Sequence, residues 1–324
     1  MNPFADREKA LFELERRIAD LRTASADQPV DIASEIATLE AKYQEVLRDV
    51  YGAPTPWQKV HIARHPNRPT ALEYIAAFDR FDELHGDRAY RDDQAVVGGL
   101  GLLRGRAVMA IGQQRGRDTK ENLRRNFGMV APEGYRKVER LAHLATRFGV
   151  PMVTFVDTKG ADPGIDSEEH AQSEAIAQCL VAFTDATVPI VAAIIGEGGS
   201  GGALALAIAD RVIMLENSTY SVASPEGCAA ILWGDATKAE EAASHLKLTA
   251  QDLLRFGIVD EVVPEPLGGA NRDPSAVVAR VLDRVDAALS ELDRYVSPTL
   301  LSARYEKYRR IGSSKRDSSP AGRR

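Results

Sequence analysis

Apolar residues recur at spacings of three and four near the start of the chain, first as Leu11, Leu14, Ile18 and Leu21, then as Ile32, Ile36, Leu39, Tyr43, Val46 and Val50. One stripe per segment predicts two helices. Asp6 is placed to cap the first, and the polar break Ser25 to Gln28 separates them, so residues 1–52 read as an antiparallel helical hairpin. Its seam needs cover from its own domain or from another subunit, because two helices bury little alone. Tyr51 to Pro69 holds four prolines with His61 and His65, a pattern for a linker or extended segment rather than a metal site. Pro66 holds His65 extended.

A helix is predicted from Thr70 to about Leu84, followed by two β-rich runs, Ala95 to Leu103 and Arg106 to Gly112, joined at the Arg104-Gly105 turn as a hairpin. The chain then alternates between helix and strand. Helices are expected at Glu133 to Phe148, Ser167 to Ala186 and Gly201 to Ala209, and strands at Pro151 to Asp157, Pro189 to Ile195, Arg211 to Leu215 and Thr219 to Val222. The strands are nearly continuous Val, Ile and Met, as required when helices cover both faces of a sheet. This is an α/β core, and its ββ-then-α grouping hints at a repeated unit rather than strict βαβ alternation. Leu282, Val285, Leu289 and Leu292 mark one face of a later helix, and the Ser, Lys, Arg and Gly content beyond Gly312 predicts a disordered tail.

Length and charge narrow the class. At about 150 residues per domain, 324 residues allow one large or two ordinary domains; 44% hydrophobic and 27% charged residues match an ordinary globular protein. The formal charge is −6, but Lys307 to Arg324 carries a net +6 and leaves −12 for the rest. An acidic body with a short basic tail does not suit a dedicated nucleic-acid binder. Cys179 and Cys228, far apart and outside any CxxC, build neither a disulfide framework nor a zinc site. With no signal-peptide pattern at the start, and apolar runs such as Val188 to Ile195 well short of a membrane span, a cytoplasmic protein is expected.

The densest chemical signal is Gly196-Glu197-Gly198-Gly199-Ser200-Gly201-Gly202, between a buried strand and the apolar run ALALAIA. Gly196, Gly198 and Gly201 fit a dinucleotide fingerprint, with Glu216 about twenty residues on. Gly198, Ser200 and Gly202 fit the GxSxG elbow of a serine hydrolase, with Asp235 and His245 downstream. Seven residues containing five glycines satisfy many such patterns, so context must decide. The following helix is short for a dinucleotide unit, and His245 sits inside the helix-like run Lys238 to Leu246. A third reading uses only what glycine does: it lets a ligand oxygen approach consecutive backbone N–H groups at the positive end of a helix, an oxyanion hole. The fourth is a turn that serves close packing alone. A second turn, Asp157 to Gly164, leaves its strand one unit earlier and could line the same cleft. Its Asp157 and Asp162 are either an acid–base pair or turn residues.

Several longer blocks then carry a resemblance: RHPNRP (Arg64 to Pro69), FDELHGDRAY (Phe81 to Tyr90), RRNFGMVAPEGYRK (Arg124 to Lys137), IGEGGSGGALA (Ile195 to Ala205), STYSVASPEGCAAILW (Ser218 to Trp233) and VPEPLGGA (Val263 to Ala270). In this order, over nearly the whole chain, they resemble the carboxyltransferase alpha subunit of bacterial-type acetyl-CoA carboxylase. The resemblance implies an α/β, crotonase-like (ClpP/crotonase) spiral of ββα units over residues 53–274, after the N-terminal hairpin. A C-terminal helical segment would follow at 275–312, then a basic tail at 313–324. It implies transfer of CO2 from carboxybiotin, delivered on the biotin carboxyl carrier protein, to acetyl-CoA, giving malonyl-CoA for fatty-acid synthesis. An α2β2 assembly with a beta subunit is implied, with biotin carboxylase an indirect partner, zinc in the beta subunit and no metal in this chain.

The family's glycine pair carries over to Gly201 and Gly202, whose N–H groups would stabilise charge on the biotin ureido oxygen. Gly198, Gly199, Thr158, Gly160, Ala161 and Gly164 would form biotin-side loops. Arg115 and Lys120, in a run with Arg117, Arg124 and Arg125, are candidates for contact with anionic groups of a ligand or partner, or else a solvated charge run. The chain departs from relatives at one stretch: Lys159 and Asp162 stand where proline and tyrosine are usual, and His170 where arginine is. Losing the proline ring and the aromatic face is expected to loosen this turn. A scaffold paralogue that keeps the interfaces but lacks turnover is therefore the rival reading.

Overall fold

The computed structural model describes residues 3–27 and 33–313. Helices α1 (Pro3–Asp27) and α2 (Ala33–Tyr51) form the expected antiparallel hairpin. The first begins at Pro3, before Asp6, and continues through the polar stretch to Asp27. Ile32 and all of the expected tail beyond Ser313 lie outside the described residues. Leu11, Leu47, Val50 and Tyr51 close the seam together with Ile62. The hairpin is fastened to the body by Arg272, which pairs with Glu15 and lies 5.5 Å from the Phe12 ring and 5.7 Å from the Tyr51 ring.

The segment expected to be extended contains α3 (Pro56–Ala63). Thr55 and Gln58 form a reciprocal capping box, and Pro56 at the first helical position has the φ that a helix start needs, so the prolines begin this helix rather than prevent one. The helix expected to reach Leu84 ends earlier, as α4 (Ala71–Ala76). The following β1 (Arg80–Glu83) pairs antiparallel with Gly99 to Leu102. Sheet pairing overrides the local helical spacing there.

Strands β2 (Val96–Leu103) and β3 (Arg106–Gln113) make the predicted hairpin, with Arg104 and Gly105 both at positive φ in its turn. After α5 (Thr119–Arg124) and α6 (Pro132–Phe148) come β4 (Met152–Thr158), α7 (Ile165–Glu169) and α8 (Gln172–Asp185). One helix was expected where α7 and α8 stand. Arg136 takes the His170 carbonyl out of the helical ladder and Ala171 turns left-handed, breaking it. Next are β5 (Ile190–Gly199), α9 (Ser200–Ala207), β6 (Arg211–Leu215) and β7 (Thr219–Ser221). The chain finishes with α10 (Pro225–Trp233), α11 (Ala239–Leu246), α12 (Ala250–Arg255), β8 (Glu261–Val263), α13 (Pro274–Leu292) and α14 (Ser297–Arg310).

Among the described residues, eight strands form one sheet in the order β1-β2-β3-β4-β5-β6-β8, with β7 added alongside the end of β5. The β1-β2-β3 ladders are antiparallel and the others parallel. Alternate residues enter two cores: Met152, Ile190, Ala192 and Ile194 face α6, α8 and α9, while Val153, Val191, Ala193 and Ile195 face α4 and α13. Two-sided burial explains the unbroken apolar strands. On α13, Leu282, Val285, Leu289 and Leu292 are buried as their spacing predicted.

Buried arginines tie distant segments to this sandwich. Arg304 of α14 pairs with Asp210 through two hydrogen bonds (2.9 and 2.7 Å) and donates to the carbonyls of Phe183, Ala186 and Val188. Both partners are almost fully buried, so removing one strands the other's charge. Arg304→Met is expected to lower unfolding free energy by about 3–5 kcal/mol, read as a fall in the urea midpoint; an unchanged midpoint would show that the pair does not anchor α14.

Candidate active site

The C-terminal ends of β4 and β5 are neighbours in the sheet, with Thr158 opposite Gly198, and they deliver the two glycine-rich turns side by side. β5 runs four residues beyond the expected Ile195, because the glycines pair with β7 as well as with β4. Ser200, at φ 58°, then turns the chain into α9.

Bare glycine positions let the turns interlock. A Cβ at Gly199 would collide with the Lys159 carbonyl, and one at Gly202 would lie 2.5 Å from the Ala161 nitrogen and 2.7 Å from both the Gly160 carbonyl carbon and the Tyr135 hydroxyl. At Gly201 the nearest atom would be Ile176 Cγ2, at 3.8 Å. Gly202 is therefore wedged while Gly201 is open. Fully buried Gln113 stitches the turns together: its Nε2 donates to the Gly202 carbonyl at 2.7 Å and its Oε1 accepts the Asp157 N–H at 3.2 Å. Asp157 Oδ1 accepts the Glu197 N–H at 3.0 Å, and Oδ2 lies 3.2 Å from Arg115 Nε.

This leaves Gly201 and Gly202 in the first turn of α9, where amides have no intrahelical acceptor, and the N-cap Gly199 offers no capping side chain. Their partial positive charge is available to an anionic atom. Beneath Gly202 the buried Tyr135 hydroxyl has no hydrogen-bond partner among the described residues, and burial pushes this phenol well above its ordinary pKa, so it stays protonated.

Two cavities flank the turn. A polar one of about 230 Å³ is lined by Arg64, Arg115, Arg117, Asp157, Lys159 and Glu197. An apolar one of about 430 Å³ is lined by Ser200, Gly201, Leu204, Tyr220, Val222 and Leu246, among others. Arg64 bonds to both Glu197 and Glu226, with closest distances of 2.6 Å to each. Burial, the largest single influence, raises the Glu226 carboxyl, but the Arg64 hydrogen bonds and charge together with a backbone hydrogen bond hold the group below its ordinary pKa. A third cavity, of about 410 Å³ under α14, is lined by the Arg304–Asp210 and Lys307–Asp260 pairs and shares no glycine-turn residue.

Of the residues singled out in the sequence, Gly198, Gly199, Gly201, Gly202, Thr158, Gly160 and Ala161 meet at the interlocked turns. Gly164 lies farther along the loop, as the N-cap of α7. The Gly160 N–H is already used, donating to Thr158 Oγ1 at 3.1 Å. Arg115 forms part of the polar wall, holding Asp157 and the carbonyls of Arg64 and His65. Lys120 stands exposed on α5 and lines neither flanking cavity, although Asn122 of the same helix lines the polar one.

Asp157 and Asp162 have separate local duties. Asp162 accepts from Ser167 Oγ at 2.5 Å and from the Gly164 N–H at 3.4 Å, which ties the turn that loss of the proline was expected to loosen. His170 sits 3.1 Å from buried Glu133 and edge-on to Tyr90. The competing motifs lack their chemistry. Asp235 binds Thr237 and His245 is an exposed residue of α11, with no hydrogen bond from either to Ser200 among the described residues. Glu216 accepts the Glu265 N–H, and the Tyr220 ring fills the space beside Gly198 that a pyrophosphate would need. Gln113 and Tyr135 were not foreseen; the only trace of Gln113 is a polar residue ending a buried apolar strand.

The family model for acetyl co-enzyme A carboxylase carboxyltransferase-like proteins matches residues 4–312. The chain belongs to this family. Within the carboxyltransferase family, the acetyl-coenzyme A carboxylase carboxyl transferase subunit alpha of Sphingopyxis alaskensis is 51% identical over 313 residues, 96% of this chain and 99% of that one. The subunit of the same name from Thermus thermophilus is 52% identical over 307 residues, 94% and 97% of the two chains. Among solved structures, transcarboxylase 12S with methylmalonyl-coenzyme A bound superposes with a TM-score of 0.56 at 19% identity, over 69% of this chain and 41% of that one. A Pseudomonas malonate decarboxylase hetero-tetramer with coenzyme A also gives 0.56, at 18% identity over 70% and 88%. The carboxyltransferase fold is thus shared with proteins of widely diverged sequence.

Replacing Gln113 by Ala would leave the Asp157 N–H buried without a partner, at about 1–3 kcal/mol, and would take from the Gly202 carbonyl the donor that it has besides the helical ladder of α9. The expected result is a matching loss in chemical-denaturation stability with the secondary structure retained by circular dichroism; a change below about 0.5 kcal/mol would show that the stitch is dispensable.

Proposed function

We propose that this chain is the alpha subunit of the acetyl-CoA carboxylase carboxyltransferase, working in the cytoplasm with a beta subunit as α2β2. Its substrates are carboxybiotin, presented on the biotin carboxyl carrier protein, and acetyl-CoA; its product is malonyl-CoA. The observation that carries this reading is near-full-length identity of 51–52% to alpha subunits from several bacteria. The uncapped amides of Gly201 and Gly202 supply the chemistry. The same reading extends the shared fold to a crotonase-like spiral of ββα units.

As the N–CO2 bond of carboxybiotin breaks, its electron pair is taken up by the ureido group, and negative charge gathers on the ureido oxygen. Amides pre-aimed at that oxygen in a water-poor site lower the barrier by about 2.7–4 kcal/mol each. The ureido nitrogen then takes the acetyl α-proton and the enolate carbon attacks CO2, so no side-chain base of this chain is needed. The polar cavity at Arg64, Arg115 and Lys159 and the apolar one at Leu204 and Val222 give this turn one wet and one dry wall. Zinc belongs to the beta subunit in this reading; among the described residues here, no group of three or more His, Cys, Asp or Glu is placed to hold a metal ion. The hydrogen-bonded Asp162 turn favours an active subunit over the scaffold alternative.

The test is to purify the chain with its beta partner and follow malonyl-CoA formation from carboxybiotin. A well-formed complex without product would establish the scaffold reading instead. Gly202→Ala, which must push back the Gly160-Ala161 backbone, is expected to cost about 100-fold in turnover, the scale of losing one oxyanion donor. Ser200→Ala should change turnover only a few-fold, whereas a hydrolase would lose its nucleophile. Equal losses would refute the amide assignment.

A further inference from the structure

Tyr135 lies on α6, its ring inside the core that covers one face of the sheet, and it is among the largest fully buried side chains. The backbone there is held by Cys179, whose Sγ donates to the Tyr135 carbonyl at 3.0 Å. The hydroxyl has no hydrogen-bond partner among the described residues. An unpaired buried hydroxyl opposes folding, and phenylalanine would fill the same space without that cost. The oxygen stops 2.7 Å from the Cβ position of Gly202, where the Gly160-Ala161 backbone also closes in. An uncapped helix start of eight residues, a glycine with no spare room and an orphan hydroxyl thus meet at one point.

We infer that Tyr135 is a positioning residue for the Gly201 and Gly202 amides: its ring holds Gly202 against residues 160–161, and its O–H turns toward negative charge gathered at those amides. The inference rests on the carboxyl-transfer reading. A hydroxyl hydrogen rotates without moving the ring, and in dry surroundings its dipole acts more strongly than in water. The oxygen has no exposed surface, so it acts through Gly202 and the local field rather than by touching substrate.

The test uses the complex with the beta subunit and the reverse reaction, transfer from malonyl-CoA to free biotin. Tyr135→Phe is expected to lower kcat about tenfold, equivalent to about 1.4 kcal/mol of barrier. KM for malonyl-CoA and for biotin should stay the same, and Tm should be equal or higher. A kcat within twofold of the parent would overturn the inference, as would a fall in Tm that accompanies the fall in kcat. A second readout is the cycle with Gly202→Ala. If the hydroxyl works through Gly202, adding Tyr135→Phe to that variant costs nothing further; additive losses overturn the proposal. The parent separates the two readings: an inactive parent complex refutes carboxyl transfer and this inference together, whereas an active parent with an unaffected Tyr135→Phe refutes this inference alone.

Discussion

The close apposition of two backbone turns, residues 157–161 and 196–202, is the constraint on which the site depends. Each turn alone is a polar loop at the end of a buried strand. Pressed together, they leave no room for a Cβ at Gly199 or Gly202, and Gln113 satisfies a carbonyl of one and an amide of the other. The arrangement holds the start of α9 in place without capping it, so its first amides keep their partial charge for another acceptor.

The rest of the fold supplies the rigidity that this apposition requires. β4 and β5 are central and buried on both faces, so a one-residue slip would send every side chain of one packed core into the other. Around them, buried ion pairs pin segments that are far apart in the chain. Arg68, completely buried, bonds Glu265, Ser218 and the Ile195 carbonyl, and so binds the segment after α3 and the stretch beyond β8 to the end of β5. Arg304 does the same for α14. Such pairs contribute little net stability compared with an apolar core, but breaking one is costly. Here they set where the peripheral segments lie relative to the glycine turn.

The residues that could be read early are those whose signal is local. The α2 and α13 stripes, the β2–β3 hairpin and the strands β4 to β6 follow from periodicity and from continuous apolar runs. Two elements that differ from the local pattern, β1 and the α7–α8 break, depend on partners distant in sequence, whereas α3 is set by its own capping box and Pro56. β1 carries a helical spacing and becomes a strand because Gly99 to Leu102 offer it a sheet edge. The α7–α8 break is enforced by Arg136 from α6. At the site, the glycine cluster was conspicuous, but its glycine patterns fitted several chemistries equally well.

Composition and spacing were thus sufficient for an α/β core, a helical hairpin ahead of it and a glycine-rich strand-to-helix turn, because each of these is written in neighbouring residues. Three-dimensional packing alone decided which glycine is wedged and which is open, that Asp157, Arg115 and Gln113 brace the turn, and that the Tyr135 hydroxyl ends unpaired beneath Gly202. Those contacts join residues dozens of positions apart, and they exist only once the sheet has brought the ends of β3, β4 and β5 together.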